Sequence, residues 1–80
     1  MSPLRLYTRQ GCHLCDDMLA DLRRLQAERD FPLELIDVDL EAHIQVKYGP
    51  RVPLLETVDG ECLSEYFLDE AGLVIYLDGG

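Results

Sequence analysis

A strand, an amphipathic helix and a second strand follow one another within residues 4–38, and that succession limits the fold more than any other feature of the chain. Leu4-Arg5-Leu6-Tyr7-Thr8 alternates apolar with polar or β-prone residues, the pattern of a short strand. Gly11 interrupts the chain. From Cys12 to about Arg29, Leu14, Met18, Leu22 and Leu25 then recur at helical spacing, with Asp17, Asp21, Arg24 and Glu28 on the opposite face. Asp16 and Asp17 complement the positive end of this helix. Pro32 closes the connection, and Leu33-Glu34-Leu35-Ile36-Asp37-Val38 reads as a second strand. A helical crossover between two strands makes them parallel, with a right-handed connection.

Leu40 to Tyr48 suits a short helix, with Asp39 as its N-cap and Gly49 just past its end. Val52 to Val58 reads as a third strand. Asp59-Gly60 signals a two-residue hairpin, so Glu61 to about Glu65 returns antiparallel as a fourth. Asp69 caps a last helix through Ala71 to Leu77, in which Gly72 is a weak point. The order is βαβ-α-ββα. It predicts an α/β fold with a four-stranded mixed sheet flanked by three helices, as a single domain over residues 1–80.

Hydrophobic residues make up 48% of the chain, enough for a modest core without staples. The formal charge is −9, from 16 acidic and 7 basic residues. A field of that sign repels phosphate backbones and argues against a nucleic-acid partner. It also means that an anionic substrate needs a local basic patch, for which Arg9, Lys47 and Arg51 are the candidates. The apolar run Leu73 to Leu77 is far too short to cross a bilayer. Met1-Ser2-Pro3-Leu4-Arg5 lacks the basic and apolar regions of a signal peptide, so a cytoplasmic monomer away from membranes is expected.

Three cysteines do not make a secreted disulfide framework, and Cys12 and Cys15 at C-x-x-C spacing point instead to redox chemistry or metal binding. Cys12 falls where a strand has ended and a helix begins. Unpaired N–H groups and the helix dipole there favour a thiolate, the nucleophile of disulfide exchange. Cys15 lies one turn along on the same side, placed to resolve a mixed disulfide. His13, between them, would support the thiolate if protonated. A zinc or iron–sulfur site would need further ligands from His13, His43 and Cys62, none of which forms a second spaced pair, so no metal site is predicted. Asp16 and Asp17 are expected to face solvent, His43 to lie on a helix surface, and Cys62 to be a small buried apolar residue. Pro53 opens a strand, where locally an ordinary trans proline fits as well as a cis one; in this layout, with the C-x-x-C, it suggests a cis Val52–Pro53 bond facing the dithiol.

The stretch Leu6-Tyr7-Thr8-Arg9-Gln10-Gly11-Cys12-His13-Leu14-Cys15, followed by Arg51-Val52-Pro53, resembles a glutaredoxin over most of the chain. Thioredoxin proper is a poorer match, with Gly11 where it has tryptophan and Leu6 in place of its buried carboxylate. The resemblance implies a thioredoxin-like fold, Cys12 as attacking thiol and Cys15 as resolving thiol. It further implies glutathione as reductant or substrate, with Arg9 near its carboxylates and the Val52 backbone pairing with its cysteinyl unit. Departures are His-Leu between the cysteines and Arg51 for the usual threonine. Ser64-Glu65-Tyr66-Phe67 stands where a Gly-Gly turn is usual, with Asp69 as the acidic remnant. The expected function is thiol–disulfide exchange on a protein or low-molecular-weight disulfide, with no bound cofactor. The alternatives are a redox-inactive peptide-binding module using the Val52-Pro53 edge, and a metal or iron–sulfur carrier.

Overall fold

In the computed structural model, which describes residues 2–79, β1 (Leu4–Thr8) runs through the middle of the sheet because both of its faces are apolar. Leu4 and Leu6 are buried on one side and Tyr7 on the other. β1 pairs in parallel with β2 (Leu33–Asp37), from Leu4 opposite Leu33 to Thr8 opposite Asp37. On its other edge it pairs antiparallel with β3 (Leu54–Glu56), Tyr7 opposite Leu54. β3 pairs antiparallel with β4 (Cys62–Glu65), which completes the order β2-β1-β3-β4. The mixed four-stranded sheet with three helices expected from the sequence is the one observed, in a thioredoxin-like arrangement.

α1 (His13–Glu28) and α3 (Glu70–Leu77) cover the Leu4–Leu6 face. The buried stripe of α1 is Cys15, Met18, Leu22 and Leu25. Leu14, expected in that stripe, is only half-buried, and Cys15 is the buried residue of the first turn. Burying Met18, Leu22 or Leu25 fully stabilises the fold by about 1.5–3 kcal/mol each. α2 (Ala42–Tyr48) covers the other face, packing Tyr48 against Tyr7, Val38 and Leu54.

Several local expectations are corrected. Asp39 does not cap α2. It sits inside a 3-10 turn, Val38–Leu40, whose own cap is Asp37, with Asp37 Oδ1 accepting from the Asp39 N–H at 2.9 Å. Glu41 stands at the N-terminus of α2 without a side-chain cap. The hairpin is wider than two residues. The Thr57 N–H donates to Glu61 O at 2.9 Å around Val58-Asp59-Gly60, with Gly60 at φ 90°, the left-handed position that closes a three-residue loop. Strand β3 is correspondingly short. Cys62 is exposed, not buried, because it begins β4 at the edge of the sheet beside the hairpin. At Gly72 a Cβ would meet the Asp69 carboxylate, whose Oδ1 accepts the Gly72 N–H at 3.0 Å to cap α3. Among the described residues, no helix is long and apolar enough to cross a membrane.

Candidate active site

β1, β2 and β4 run in one direction and β3 in the other, so one end of the sheet gathers several chain turns. These are the loop after β1, the turn after β2, the segment before β3 and the loop between β4 and α3. In open α/β sheets this is the end where ligands bind. Gly11 lets the first of these turns form: it adopts φ 75°, which a side chain would resist. The chain is thereby aimed so that Cys12 becomes the N-cap of α1.

Cys12 Sγ accepts the backbone N–H of Cys15 at 3.1 Å, and Asp16 N donates to Cys12 O at 3.1 Å. The first turn of α1 thus delivers one backbone N–H to the sulfur, in keeping with the strand-to-helix junction in the sequence. Cys12 and Cys15 are joined in a disulfide, with Cα atoms 5.2 Å apart. Cys12 is half-buried, whereas Cys15 retains only 2% of its surface. An incoming group therefore meets Cys12 first. His13 points into solvent, with Nε2 3.6 Å from Asp17 Oδ2 one turn along. Asp16 and Asp17 are both exposed.

The Val52–Pro53 peptide is cis. Leu54 pairs with Tyr7, so Pro53 stands at the dithiol end of the sheet. Val52 is extended, φ −73° and ψ 145°, and half-buried. Tyr66 closes over this segment: its N–H donates to Pro53 O at 2.8 Å and its hydroxyl to Pro50 O at 3.0 Å. Tyr66 adopts φ 65°, the left-handed conformation that glycine ordinarily supplies at such a turn.

The charged candidates are held by partners within the chain. Arg9 grips Asp39 through Nη2 at 2.7 Å and Nε at 3.2 Å. The Arg9 and Gln45 hydrogen bonds hold the Asp39 carboxyl below the usual carboxylate range. Arg51 Nε lies 2.6 Å from Glu65 Oε2, which lowers the Glu65 carboxyl in the same way. Lys47 lies apart from these pairs, 5.1 Å from the centre of the Tyr48 ring. Asp69 uses its carboxylate to cap α3 and donates its backbone N–H to Ser64 Oγ at 2.9 Å. Of the other donors considered for a metal, His43 pairs with Glu41 at 3.4 Å on α2, and Cys62 Sγ donates to Ser64 O at 3.7 Å. Among the described residues no three His, Cys, Asp or Glu side chains gather as a metal-ligand set.

Sequence reasoning missed two features. A cavity of about 210 Å³ opens between the start of α1 and the end of β2, lined by Cys15, Asp16, Leu19, Leu35 and Asp37 with the Thr8–Gln10 loop. The position of Asp37 at the carboxyl end of a parallel strand was the available signal. On the opposite face, the Tyr7 and Tyr48 hydroxyls both donate to the buried Glu56 carboxylate, Tyr7 to Oε1 at 3.0 Å and Tyr48 to Oε2 at 3.1 Å. No local pattern marks that cluster.

Comparison with known proteins agrees with this geometry. Residues 3–78 match the model of the glutaredoxin-like domain (DUF836). Uncharacterized proteins of Mycobacterium tuberculosis and Mycobacterium bovis are 32% identical over 72 residues, covering 84% of this chain and 73% of theirs. A protein of Nitrosomonas europaea solved by NMR superposes with a TM-score of 0.81 at 43% identity, over 94% of this chain and 89% of that one. A crystal structure of a protein from X. campestris gives 0.76 at 30% identity, over 96% and 97%. On the match to its family model and on these relatives, the chain belongs to the glutaredoxin-like domain family.

Proposed function

We propose that this protein is a thiol–disulfide oxidoreductase that works through Cys12 and Cys15 in a reducing compartment such as the cytoplasm. The observation that carries the reading is the Cys12 sulfur itself. It caps the N-terminus of α1, accepts a helix N–H, and is bonded to a second sulfur one turn inward. A sulfur so placed is stabilised as an anion once reduced.

In the reduced protein, the Cys12 thiolate attacks one sulfur of a substrate disulfide. A mixed disulfide forms on Cys12, and the other substrate sulfur leaves as a thiolate and takes a proton. Cys15 then loses its proton, and its thiolate attacks the Cys12 sulfur, releasing the second substrate thiol. Two electrons and two protons pass to the substrate, and the Cys12–Cys15 disulfide is the product. A thiol or dithiol reductant restores the starting state. The extended Val52 backbone next to Pro53 offers an edge on which a substrate strand lies beside Cys12. Glutathione, the co-substrate that the resemblance implies, would have to draw Arg9 from Asp39 and to share the Asp69 carboxylate with the cap of α3.

The test is turnover of a protein disulfide by single cysteine variants. Cys12→Ser reduces turnover to background. Cys15→Ser accumulates a mixed disulfide on Cys12, visible by mass spectrometry. Full turnover by both variants would contradict the assignment.

A further inference from the structure

We infer that the cavity beside Cys15 is a specificity subsite that takes a cationic side chain, lysine or arginine, of a polypeptide disulfide substrate. The inference rests on the exchange reading above and extends it to the kind of disulfide preferred.

The cavity's size sets the scale of what enters. Its 210 Å³ falls short of the pockets of about 300 Å³ and more that hold whole drug-sized molecules. One long side chain is the matching occupant. Its walls fit an amphipathic one: Leu19 and Leu35 are apolar, and Leu35 is 47% exposed on the edge strand, an uncovered surface against which a methylene stem would pack.

The charge of the lining sets the sign. Arg9, Asp16 and Asp37 are its ionic residues. The Arg9 guanidinium is already matched by the Asp39 carboxylate in a two-bond pair. Asp37 spends one oxygen on the Asp39 backbone N–H and its charge is felt at Arg9, but no ion pair closes on Asp16 or Asp37 among the described residues. With Asp39 counted, three carboxylates therefore stand around the cavity against the one Arg9 guanidinium, in a chain whose net charge is already −9. A second carboxylate entering would be repelled, and an ammonium or guanidinium attracted.

Position ties the cavity to the chemistry. Cys15 is part of its wall and is bonded to Cys12, so an occupant sits within a residue or two of the sulfur under attack. It lies on the β2 side of α1, whereas the Val52–Pro53 edge lies toward β3, so a substrate strand resting on that edge leaves the cavity free for a neighbouring side chain.

The experiment mixes the reduced protein with symmetrical peptide disulfides that differ only in carrying Lys, Gln or Glu next to the cysteine. The rate of Cys12–Cys15 disulfide formation is read in a single turnover. Each of two partly exposed charge contacts changes the rate by a small factor, so the Lys peptide should outpace the Glu peptide by about five- to tenfold at low salt. Asp16→Asn with Asp37→Asn should bring that ratio close to one. Asp59→Asn with Glu61→Gln removes as much charge from the hairpin at the far end of the sheet and should leave the ratio intact. Equal rates for the three peptides, or a ratio lowered as much by the hairpin pair, would overturn the proposal.

A binding readout separates this result from the exchange reading. A cysteine-free Lys peptide added to the oxidised protein should shift the amide signals of Asp16, Leu19 and Leu35. Shifts there without any oxidation by bis(2-hydroxyethyl) disulfide would retain the subsite and remove the exchange reading. Oxidation by that uncharged disulfide with neither shifts nor discrimination would do the reverse.

Discussion

On the face of the sheet covered by α1 and α3 the core is apolar: Leu4, Leu6 and Leu55 from the strands, Met18, Leu22 and Leu25 from α1, and Phe31 and Leu73 around them. On the face covered by α2, Tyr7 and Tyr48 stack with ring centres 3.9 Å apart and direct their hydroxyls at the buried Glu56. The difference follows from what each helix must do. α1 is 16 residues long and seats itself by non-directional burial along its whole length. α2 has 7 residues, too few to persist unaided, and Tyr48 is its buried one. Directional bonds to Glu56 fix where α2 ends, and the chain runs directly from there through Gly49–Arg51 to the Val52–Pro53 edge. One face carries the dithiol on a helix held by bulk. The other carries the Val52–Pro53 edge behind a helix whose smaller apolar cluster is supplemented by hydrogen bonds.

Three substitutions probe that contrast. Leu22→Ala, at a site with no exposed surface, should cost about 2–5 kcal/mol in chemical denaturation, the range for a leucine deleted from a packed core. Glu56→Leu keeps the volume apolar but strands two phenolic hydroxyls, and should cost about 1–3 kcal/mol. A neutral Glu56→Leu would show that the hydroxyls find other partners and that the network does not hold α2. Tyr7→Phe removes one donor and should have the smallest cost, about 1 kcal/mol, but it changes the alkaline behaviour. Burial, then hydrogen bonds with Tyr48 and Glu56, push the Tyr7 hydroxyl well above the ordinary tyrosine value. The folded state thus holds that proton more tightly than the unfolded one. The stability this contributes is complete below about pH 10 and is lost as the pH rises beyond it. Tyr7→Phe should flatten that alkaline loss, and an unchanged pH profile would remove Tyr7 as its source.

The same contrast explains what the sequence could disclose. The α1 face was legible because helical periodicity and apolar burial are local signals: Met18, Leu22 and Leu25 fell where their spacing placed them. The succession of elements with its parallel and antiparallel pairs, the C-x-x-C at the helix start and the cis Val52–Pro53 bond are likewise within reach. The α2 face was not. Glu56 looks like an ordinary polar residue in a strand, and its partner Tyr7 is 49 positions away. Aspartate favours caps, which makes Asp39 a cap candidate in the sequence, yet its carboxylate is held by Arg9, 30 positions away. Asp37, at the end of the preceding strand, caps the 3-10 turn before α2, and α2 itself has no side-chain cap. Arg9 and Arg51 stand as candidates for a basic patch for the converse reason: no sequence pattern places Asp39 and Glu65 beside them. Cys62 was expected to be buried by residue type, and its edge position exposes it.

The account depends most on the electrostatics at one sulfur. The direct measurement is the rate of alkylation of the reduced protein against pH, with the modified residue identified by mass spectrometry. Cys12 should react first, with a midpoint below the ordinary thiol value of about 8.5, while Cys15 stays protected. A midpoint at or above that value, or alkylation beginning at Cys15, would contradict it.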